Sequence, residues 1–326
     1  MSKLRLTFAC GLYDRMSALY TGEVKPEGID LNFLAIDEPR QIFDRMGKNL
    51  DFDACEMSSS EVFSRLAAGR NEMVALPVFP SRVFRHGFIT VNRKVVKTPK
   101  DLAGKRIGVP LYTPTAAVFI RGLLQDEYGV DLSGVHWVQG ATNGPHSHGN
   151  PAAPALIKAV SIEQNASGHS LSELLERGDI QAILGSGLPA ALRTNPDVRR
   201  LFPDFHALEL DYYRRTRIFP IMHLVAMRRD VYERHPFIAT SLFKAMSEAK
   251  NLALAKMRAA LHAAGHDRGA RRDRHDVRRR SLALRGRGQP PHARGARSLH
   301  GRAVADQGAH SRRGAVRANL RAITAR

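Results

Sequence analysis

An abrupt change in residue types near Gly265 limits the part of this chain that can build a hydrophobic core. The segment His266–Arg326 contains 17 Arg and 4 Asp but no Lys, Glu, Phe, Tyr, Trp or Met, so it carries +13 of the formal net charge of +19. Large apolar side chains are needed to offset the entropy lost on folding, and this segment has few of them. A folded core is therefore expected only in the first 265 residues.

Two interpretations of the Arg-rich tail, residues 266–326, are open. A disordered arm that binds phosphate groups has this kind of composition. A reading-frame slip in a GC-rich gene also produces it, because out-of-frame codons of the CGN and GCN type yield Arg, Ala, Gly and Pro. The absence of Lys favours the slip, as does the helical run Leu252, Leu254, Met257 and Leu261, which stops without a capping residue. No nucleic-acid partner is predicted, since the rest of the chain has a net charge of only +6.

The first 265 residues suit one large or two smaller α/β domains. Cys10 and Cys55 are too few for a disulfide framework, and no Cys/His spacing typical of zinc occurs. His146 and His148 suggest a metal ligand pair, but no third ligand is evident and their Gly/Pro/Asn surroundings favour a loop, so no metal is predicted. No secretion signal or membrane-spanning stretch is recognised, so a soluble, cytoplasmic protein without a membrane partner is expected. The sequence is compatible with a homo-oligomer.

Apolar, strand-like runs alternate with helical patterns, which is typical of an α/β fold with parallel sheets. The predicted strands are Leu4–Cys10, Ile29–Leu34, Met73–Val78, Gly87–Val91, Arg106–Val109, Ala182–Leu184 and Ile221–Met227. The predicted helices are Asp37–Met46, Ser59–Ala68, Thr115–Tyr128, Leu171–Arg177 and Pro236–Leu261.

Several motifs resemble known proteins. The stretch DLAGKRIGVPLYTPTAAVFIRGLLQDEYGVD (Asp101–Asp131) is similar to the entry into the second domain of type II periplasmic binding proteins. LLERGDIQAILG (Leu174–Gly185) and FPIMHLVAMRRDVYERHP (Phe219–Pro236) fit the later strands of that fold. Together, the blocks DFDACEMSSSEVFSRLAAG, ALPVFPSRVFRHGFITVN, TAAVFIRGLLQDEYGV and FPIMHLVAMRRDVYE resemble the 4,5-dihydroxyphthalate decarboxylase family, and PSRVFRH is the most specific part.

The resemblance implies a two-lobed α/β fold of the type II periplasmic-binding-protein kind, with a ligand cleft between the lobes. Residues 1–92 and 205–265 are predicted to form one lobe and residues 93–204 the other, with residues 266–326 a poorly ordered tail. Members of this family end with a segment like FGDDPWPYG, which this chain lacks. Reading one base later through Val277–Gly286, with permitted codons, gives that phrase, so the tail is interpreted as out of frame.

The resemblance also implies a reaction, the loss of one carboxylate of 4,5-dihydroxyphthalate as CO2 to leave protocatechuate. Two adjacent carboxylates must be held, and a proton must reach the ring carbon that loses CO2. The planar fork of Arg suits the first task, and His suits the second. No cofactor is expected, since the hydroxylated ring can hold the developing charge. The alternative is a solute-binding or ligand-sensing protein of the same fold that binds an anionic small molecule without catalysis.

Arg82, Arg85 and His86 follow a predicted strand, and open α/β sheets bind ligands at the carboxyl ends of their strands. The two arginines are therefore candidates to hold the carboxylates. His86 or His223 is the candidate proton donor, and His86 is favoured for its place beside two arginines. In the alternative interpretation, the arginines pair with surface acids, His86 caps a turn and His223 is an ordinary residue of an apolar core strand.

Further candidates for substrate binding lie at other predicted strand ends and helix starts. Thr113 and Thr115 precede a helix whose free amides could hold a carboxylate, or they could be simple caps. Arg121 lies two turns into that helix and is either a ligand contact or a solvated surface residue. Glu56 and Ser58, with the two serines that follow, could bind phenol hydroxyls or cap the next helix.

Overall fold

The computed structural model describes residues 2–144, 156 and 158–263, and over this part the chain divides into two compact units. One unit contains the residues up to Arg82 and those from Ile221 onward, and the other contains Val83–Pro220. Residues 83–92 and 205–220 thus belong to the second unit, whereas the sequence analysis divides the chain at 92/93 and 204/205. The predicted tail, residues 266–326, lies outside the described residues.

The helices and strands alternate along the chain, as predicted for the α/β class. The strands are β1 (Leu4–Cys10), β2 (Ile29–Ala35), β3 (Ala54–Ser58), β4 (Met73–Arg82), β5 (Ile89–Asn92), β6 (Arg106–Val109), β7 (His136–Gln139), β8 (Ile162–Gln164), β9 (Ala182–Leu184), β10 (Val198–Arg200) and β11 (Ile221–Arg228). The α-helices are α1 (Asp14–Tyr20), α2 (Pro39–Asn49), α3 (Ser59–Ala67), α4 (Thr115–Asp126), α5 (Leu171–Arg177), α6 (Ala191–Thr194), α7 (Phe205–Thr216), α8 (Arg229–Arg234) and α9 (Phe237–Ala263).

The sheet of the first unit has the strand order β2-β1-β3-β11-β4. β1 pairs in parallel with β2 and β3, whereas β11 is antiparallel to both β3 and β4. The prediction of a parallel sheet is therefore wrong for β11. This strand enters the sheet after the chain has passed through the whole second unit, so no local βαβ crossover forces it to run parallel.

The two faces of this sheet are covered by different helices. Residues of α1 and α9 form one core with Leu6, Phe8 and Val225. Residues of α2 and α3 form the other core with Ala9, Cys55 and Leu224. Successive strand residues thus enter opposite cores, as the two-residue period of a strand requires.

The second unit contains a sheet of order β10-β5-β9-β6-β7-β8, in which β5 is antiparallel to both of its neighbours. These pairings explain why β5 belongs to this unit. Phe205 of α7 packs against Gly87, in the short 3-10 helix His86–Phe88, which brings α7 into the same unit. α7 is not among the predicted helices, and Tyr213 is its one buried residue.

Polar side chains meet at one edge of the first sheet. β4 runs in the same direction as β1 and β3, and β11 runs in the opposite direction. The carboxyl ends of β1, β3 and β4 therefore lie beside the amino end of β11, at what is called here the carboxyl edge of the first sheet. Among the helices described, none combines the length and apolar composition that crossing a membrane requires.

Candidate active site

A buried carboxylate, Glu56, lies at the carboxyl edge of the first sheet and accepts hydrogen bonds on both oxygens. Oε1 accepts from Tyr13 Oη at 2.8 Å and from His223 Nδ1 at 2.5 Å. Oε2 accepts from the Gly11 N–H at 3.2 Å and from Cys10 Sγ at 3.4 Å. A carboxylate that is removed from water needs such donors, so these residues, called here the Glu56 cluster, form one interdependent unit.

Three strands bring the Glu56 cluster together. Glu56 is in β3, Gly11 follows β1, and His223 is near the start of β11, where it is paired with Ser58. A Cβ atom at Gly11 would lie 2.9 Å from Tyr13 Cζ, so a side chain at this position would displace the Tyr13 ring. The bond between His223 and Glu56 joins residues 167 positions apart, which makes it a product of sheet topology rather than of local sequence.

The His223 side chain contacts Glu56 and Phe43 and is partly exposed to solvent. Its ring meets the Phe43 ring edge to face, with 4.9 Å between centroids, and its side chain is 20% exposed. The pairing of β11 with β4 shifts register on both sides of His223, an irregularity that can redirect a side chain. Since Glu56 occupies Nδ1, Nε2 is the ring nitrogen that remains to act on a ligand.

The charges of the Glu56 cluster follow from its contacts. Burial alone would raise the pKa of the Glu56 carboxyl, but the hydrogen bond and charge of His223, with the bonds from Tyr13 and Gly11, bring the pKa below its usual value. Burial and the adjacent Glu56 charge raise the pKa of the Tyr13 phenol and of the Cys10 thiol. At neutral pH, Glu56 is therefore an anion, and Tyr13 and Cys10 are neutral donors to it.

Two arginines reach the carboxyl end of β4, close to this cluster. Arg82 is the last residue of β4, and its guanidinium lies 4.9 Å from the centre of the Phe79 ring. Arg15 of α1 donates from Nε to the Pro80 carbonyl at 2.5 Å, and its guanidinium lies 4.1 Å from the centre of the Tyr13 ring. Positive charge is thus available beside the Glu56 cluster.

The serines that follow Glu56 connect β3 to β11. Ser59 Oγ donates to the carbonyls of Ile221 and Met222, at 3.1 and 2.9 Å. The hydroxyl oxygens of Ser58 and Ser60 are 3.3 Å apart, and Ser58 is buried. The two Ser59 bonds hold the first residues of β11, which precede His223.

The structure assigns Arg85 and His86 to the second unit, apart from Arg82 in the first. His86 is 2% exposed and is surrounded by the rings of Tyr128, Phe202 and Tyr212. Its Nδ1 is 4.0 Å from Glu209 Oε1. Burial, with a smaller effect of Arg215, lowers the pKa of His86 to about 4, and burial raises the pKa of Glu209 to about 7.

Arg85 is buried against an aromatic ring. Its guanidinium lies 4.7 Å from the centre of the Phe88 ring, and the side chain is almost wholly shielded from solvent. Burial lowers the pKa of Arg85 to about 10, while Glu209 acts in the opposite direction.

The candidates around α4 also lie in the second unit. α4 begins at Thr115, which is buried, and Thr113 is half-buried in the loop before it. Arg121 is buried, donates from Nη1 to the Tyr112 carbonyl at 2.8 Å, and lies 3.8 Å from the centre of the Tyr112 ring. The interpretation of Arg121 as a solvated surface residue is therefore wrong, since it braces the loop before α4.

The two loop histidines, His146 and His148, lie outside the described residues. Across the described ranges, no group of three or more His, Cys, Asp or Glu side chains is arranged to hold a metal ion.

Four residues of this region, Cys10, Gly11, Tyr13 and Arg15, are not among the site candidates predicted from the sequence. Cys10 ends the first predicted strand and the other three follow it, so the strand-end rule that selects Arg82 applies equally to them. No local pattern in the sequence indicates that Tyr13 and Glu56 meet, because a long stretch of chain separates these two residues.

No family model matches the chain. Among solved structures, it is similar to the periplasmic aliphatic sulphonate binding protein SsuA from Escherichia coli, with 12% identity over 80% of this chain and 77% of that chain and a TM-score of 0.48. It is also similar to a periplasmic sulfonate-binding protein from Methylobacillus flagellatus, with 13% identity over 99% of this chain and 88% of that chain and a TM-score of 0.49. These neighbours are of the periplasmic-binding-protein class, and the chain itself is an α/β protein with two sheets.

Two curated relatives are more similar in sequence. A 4,5-dihydroxyphthalate decarboxylase from Comamonas testosteroni is 39% identical over 259 residues, which are 79% of this chain and 78% of the relative. A protein of the same name from Pseudomonas putida is 38% identical over 219 residues, 66% of this chain and 83% of the relative. The chain belongs to the 4,5-dihydroxyphthalate decarboxylase family.

Proposed function

We propose that this protein removes one carboxylate of 4,5-dihydroxyphthalate, or of a closely related aromatic dicarboxylate, as CO2 and leaves protocatechuate. The proposal is supported by the family membership and by one structural observation. That observation is the partly exposed His223 imidazole, bound through Nδ1 to the buried Glu56 carboxylate. Such a pair can present a proton at Nε2 to a substrate atom.

The reaction requires a proton at the ring carbon that loses its carboxylate. The hydroxyl para to that carbon pushes electron density toward it, and the carbon then accepts the proton. The bond to the carboxylate breaks, its electron pair restores the aromatic ring, and CO2 leaves. One proton is consumed for each CO2 released, and no electrons leave the substrate. The ring itself holds the transient charge, so no cofactor is required by this chemistry.

In this proposal His223 is the general acid and Glu56 orients it. The bond from Nδ1 to Glu56 holds the ring in one orientation and one tautomer, so the transferable proton is on Nε2. After transfer, the Nδ1 proton still faces Glu56 and Nε2 is bare. The 20% exposure of the side chain lets water return a proton before the next turnover.

His223 fits the role of proton donor better than His86, which the sequence analysis favours. His86 is buried among aromatic rings, and its pKa of about 4 leaves it almost wholly neutral at pH 7. A neutral imidazole that is shut off from solvent can neither supply a proton readily nor recover it. His223 combines access to solvent with a carboxylate that can stabilise a positive ring.

Arg82 is proposed to bind a substrate carboxylate. It follows Ser81, which is in register with His223, so its backbone lies beside the proposed acid. A guanidinium can hold one carboxylate through two parallel hydrogen bonds and leave the adjacent carboxylate for cleavage. The substrate contacts predicted for Arg85, Thr113, Thr115, Arg121 and Ser58 stay predictions.

Incubation of the protein with 4,5-dihydroxyphthalate is expected to release CO2 and protocatechuate in equal amounts, with uptake of one proton per CO2, without added metal or nucleotide. Product chromatography measures the protocatechuate, and manometry of an acidified sample measures the CO2. Tight binding of the substrate by calorimetry with no CO2 would contradict the decarboxylase and support the solute-binding alternative.

Replacement of Arg82 by alanine is expected to raise KM by about 10–100-fold, because a hydrogen-bonded charge pair with the substrate is lost. Arg85→Ala is expected to raise KM less, since this side chain is buried against Phe88. Arg5→Ala, at an exposed position of β1, is the matched control. Steady-state kinetics of the three variants make the comparison, and an unchanged KM for Arg82→Ala contradicts the assignment.

A further inference from the structure

Tyr13 and His223 share one oxygen of the same carboxylate. Tyr13 Oη is 2.8 Å and His223 Nδ1 is 2.5 Å from Glu56 Oε1, whereas Gly11 and Cys10 bind Oε2. Two donors on one oxygen compete for its electron density, so a change in one bond alters the other. The phenol of Tyr13 is therefore coupled to the imidazole without touching it.

We propose that Tyr13 is a positioning residue for the decarboxylation. It fixes the Glu56 carboxylate against His223 and limits how tightly that carboxylate holds the positive imidazole. This inference rests on the proposed function, because His223 must be the acid for the coupling to affect turnover.

Gly11 and Arg15 both bear on the position of the Tyr13 ring. Gly11 lies against the ring where any side chain would collide with it. The Arg15 guanidinium lies 4.1 Å from the centre of the Tyr13 ring. It is anchored by the hydrogen bond from its Nε to the Pro80 carbonyl. The phenol is thus aimed at Glu56 by packing, which is the arrangement expected of a group that orients a catalytic residue.

The charges around Glu56 come from each element packed against it. Cys10 of β1 and Cys55 of β3 have thiols whose pKa burial raises, so both are neutral. Arg15 of α1 contributes a positive charge near Tyr13 and Cys10, and His223 of β11 contributes the Nδ1 donor to Oε1. Among these groups, Tyr13 is the neutral donor that binds the same oxygen as His223.

The role has a chemical consequence. With the phenol bound, Oε1 carries less negative charge and stabilises the imidazolium less, so the proton on Nε2 passes to the substrate more readily. Without the phenol, Oε1 binds the imidazolium more strongly. The proton then stays on the acid to higher pH, but its transfer to the ring carbon becomes slower.

The test is Tyr13→Phe, which removes the hydroxyl and keeps the ring. We expect kcat to fall by about tenfold, KM to change less than about twofold, and the basic limb of the kcat profile to move up by about one pH unit. The matched control is Tyr20→Phe, an exposed tyrosine of α1, which should keep the wild-type profile. The low-field proton resonance on His223 Nδ1, identified by its loss in His223→Gln, is expected to move further downfield in Tyr13→Phe.

A fall in kcat with an unshifted pH profile and an unchanged Nδ1 resonance would mean that Tyr13 only supports the fold, and would overturn the proposal. Wild-type kinetics in Tyr13→Phe would overturn it as well. In both cases the wild-type enzyme still releases CO2, so the proposed function stands. A wild-type protein that binds the substrate but releases no CO2 instead overturns the proposed function and this inference together.

Discussion

His223→Gln is expected to lower kcat by about 10²–10⁴-fold while the affinity for 4,5-dihydroxyphthalate stays close to that of the wild type. Glutamine retains a polar side chain of similar reach but has no proton of suitable acidity to transfer. The substrate carboxylates are proposed to bind to Arg82 rather than to His223, so binding should survive. Calorimetric affinity and the rate of CO2 release, measured on the same preparation, separate the two effects.

Two further histidine variants sharpen this test. His136→Gln changes an exposed histidine of β7 and serves as the matched control. His86→Gln tests the competing donor, and it is expected to affect stability more than turnover, because His86 lies among buried aromatic rings. If His86→Gln loses turnover at unchanged affinity while His223→Gln keeps it, the roles are reversed. If both variants keep near-native turnover, neither histidine supplies the proton.

Glu56→Gln is expected to lower both turnover and stability. Turnover should fall by at least about 10²-fold, because loss of the carboxylate that orients a histidine costs up to about 10⁴-fold in comparable pairs. The free energy of unfolding should fall by about 1–3 kcal/mol at neutral pH, the usual cost of leaving buried polar groups unsatisfied. Glutamine has one acceptor oxygen where Glu56 has two. If that oxygen faces Tyr13 and His223, the amide N–H groups face the Gly11 N–H, and this backbone donor loses its acceptor.

The stability loss should depend on pH in a defined direction. The pKa of Glu56 is lower in the folded protein than in the unfolded chain, where it is about 4.3. The carboxylate therefore contributes stability above the unfolded pKa, and this contribution disappears as the pH falls through the folded pKa. The difference between wild type and Glu56→Gln should be largest near neutral pH and shrink in acid.

Urea unfolding at several pH values measures this difference. Glu233→Gln, at an exposed position of α8, is the control and should show a small effect. A difference between wild type and Glu56→Gln that grows as the pH falls contradicts the assigned charge state of Glu56.

The sequence alone was sufficient for the class of fold and for the family. Alternating strand and helix patterns predict an α/β protein, and ordered motifs spread over residues 1–260 predict the decarboxylase family that the relatives confirm. The fold class and the family depend on local apolar periodicity and on residue types, both of which can be read directly from the sequence. The same reasoning named Glu56 and His223 as separate candidates.

Tertiary structure decided which of these candidates meet. β11 inserts between β3 and β4 and runs antiparallel to both, and this pairing alone brings His223 to Glu56. The division into units likewise separates Arg82 from Arg85 and His86, which are neighbours in sequence. Strand order and register arise from pairing between segments that are far apart in the sequence. The contacts that stabilise this pairing leave no local pattern in the sequence.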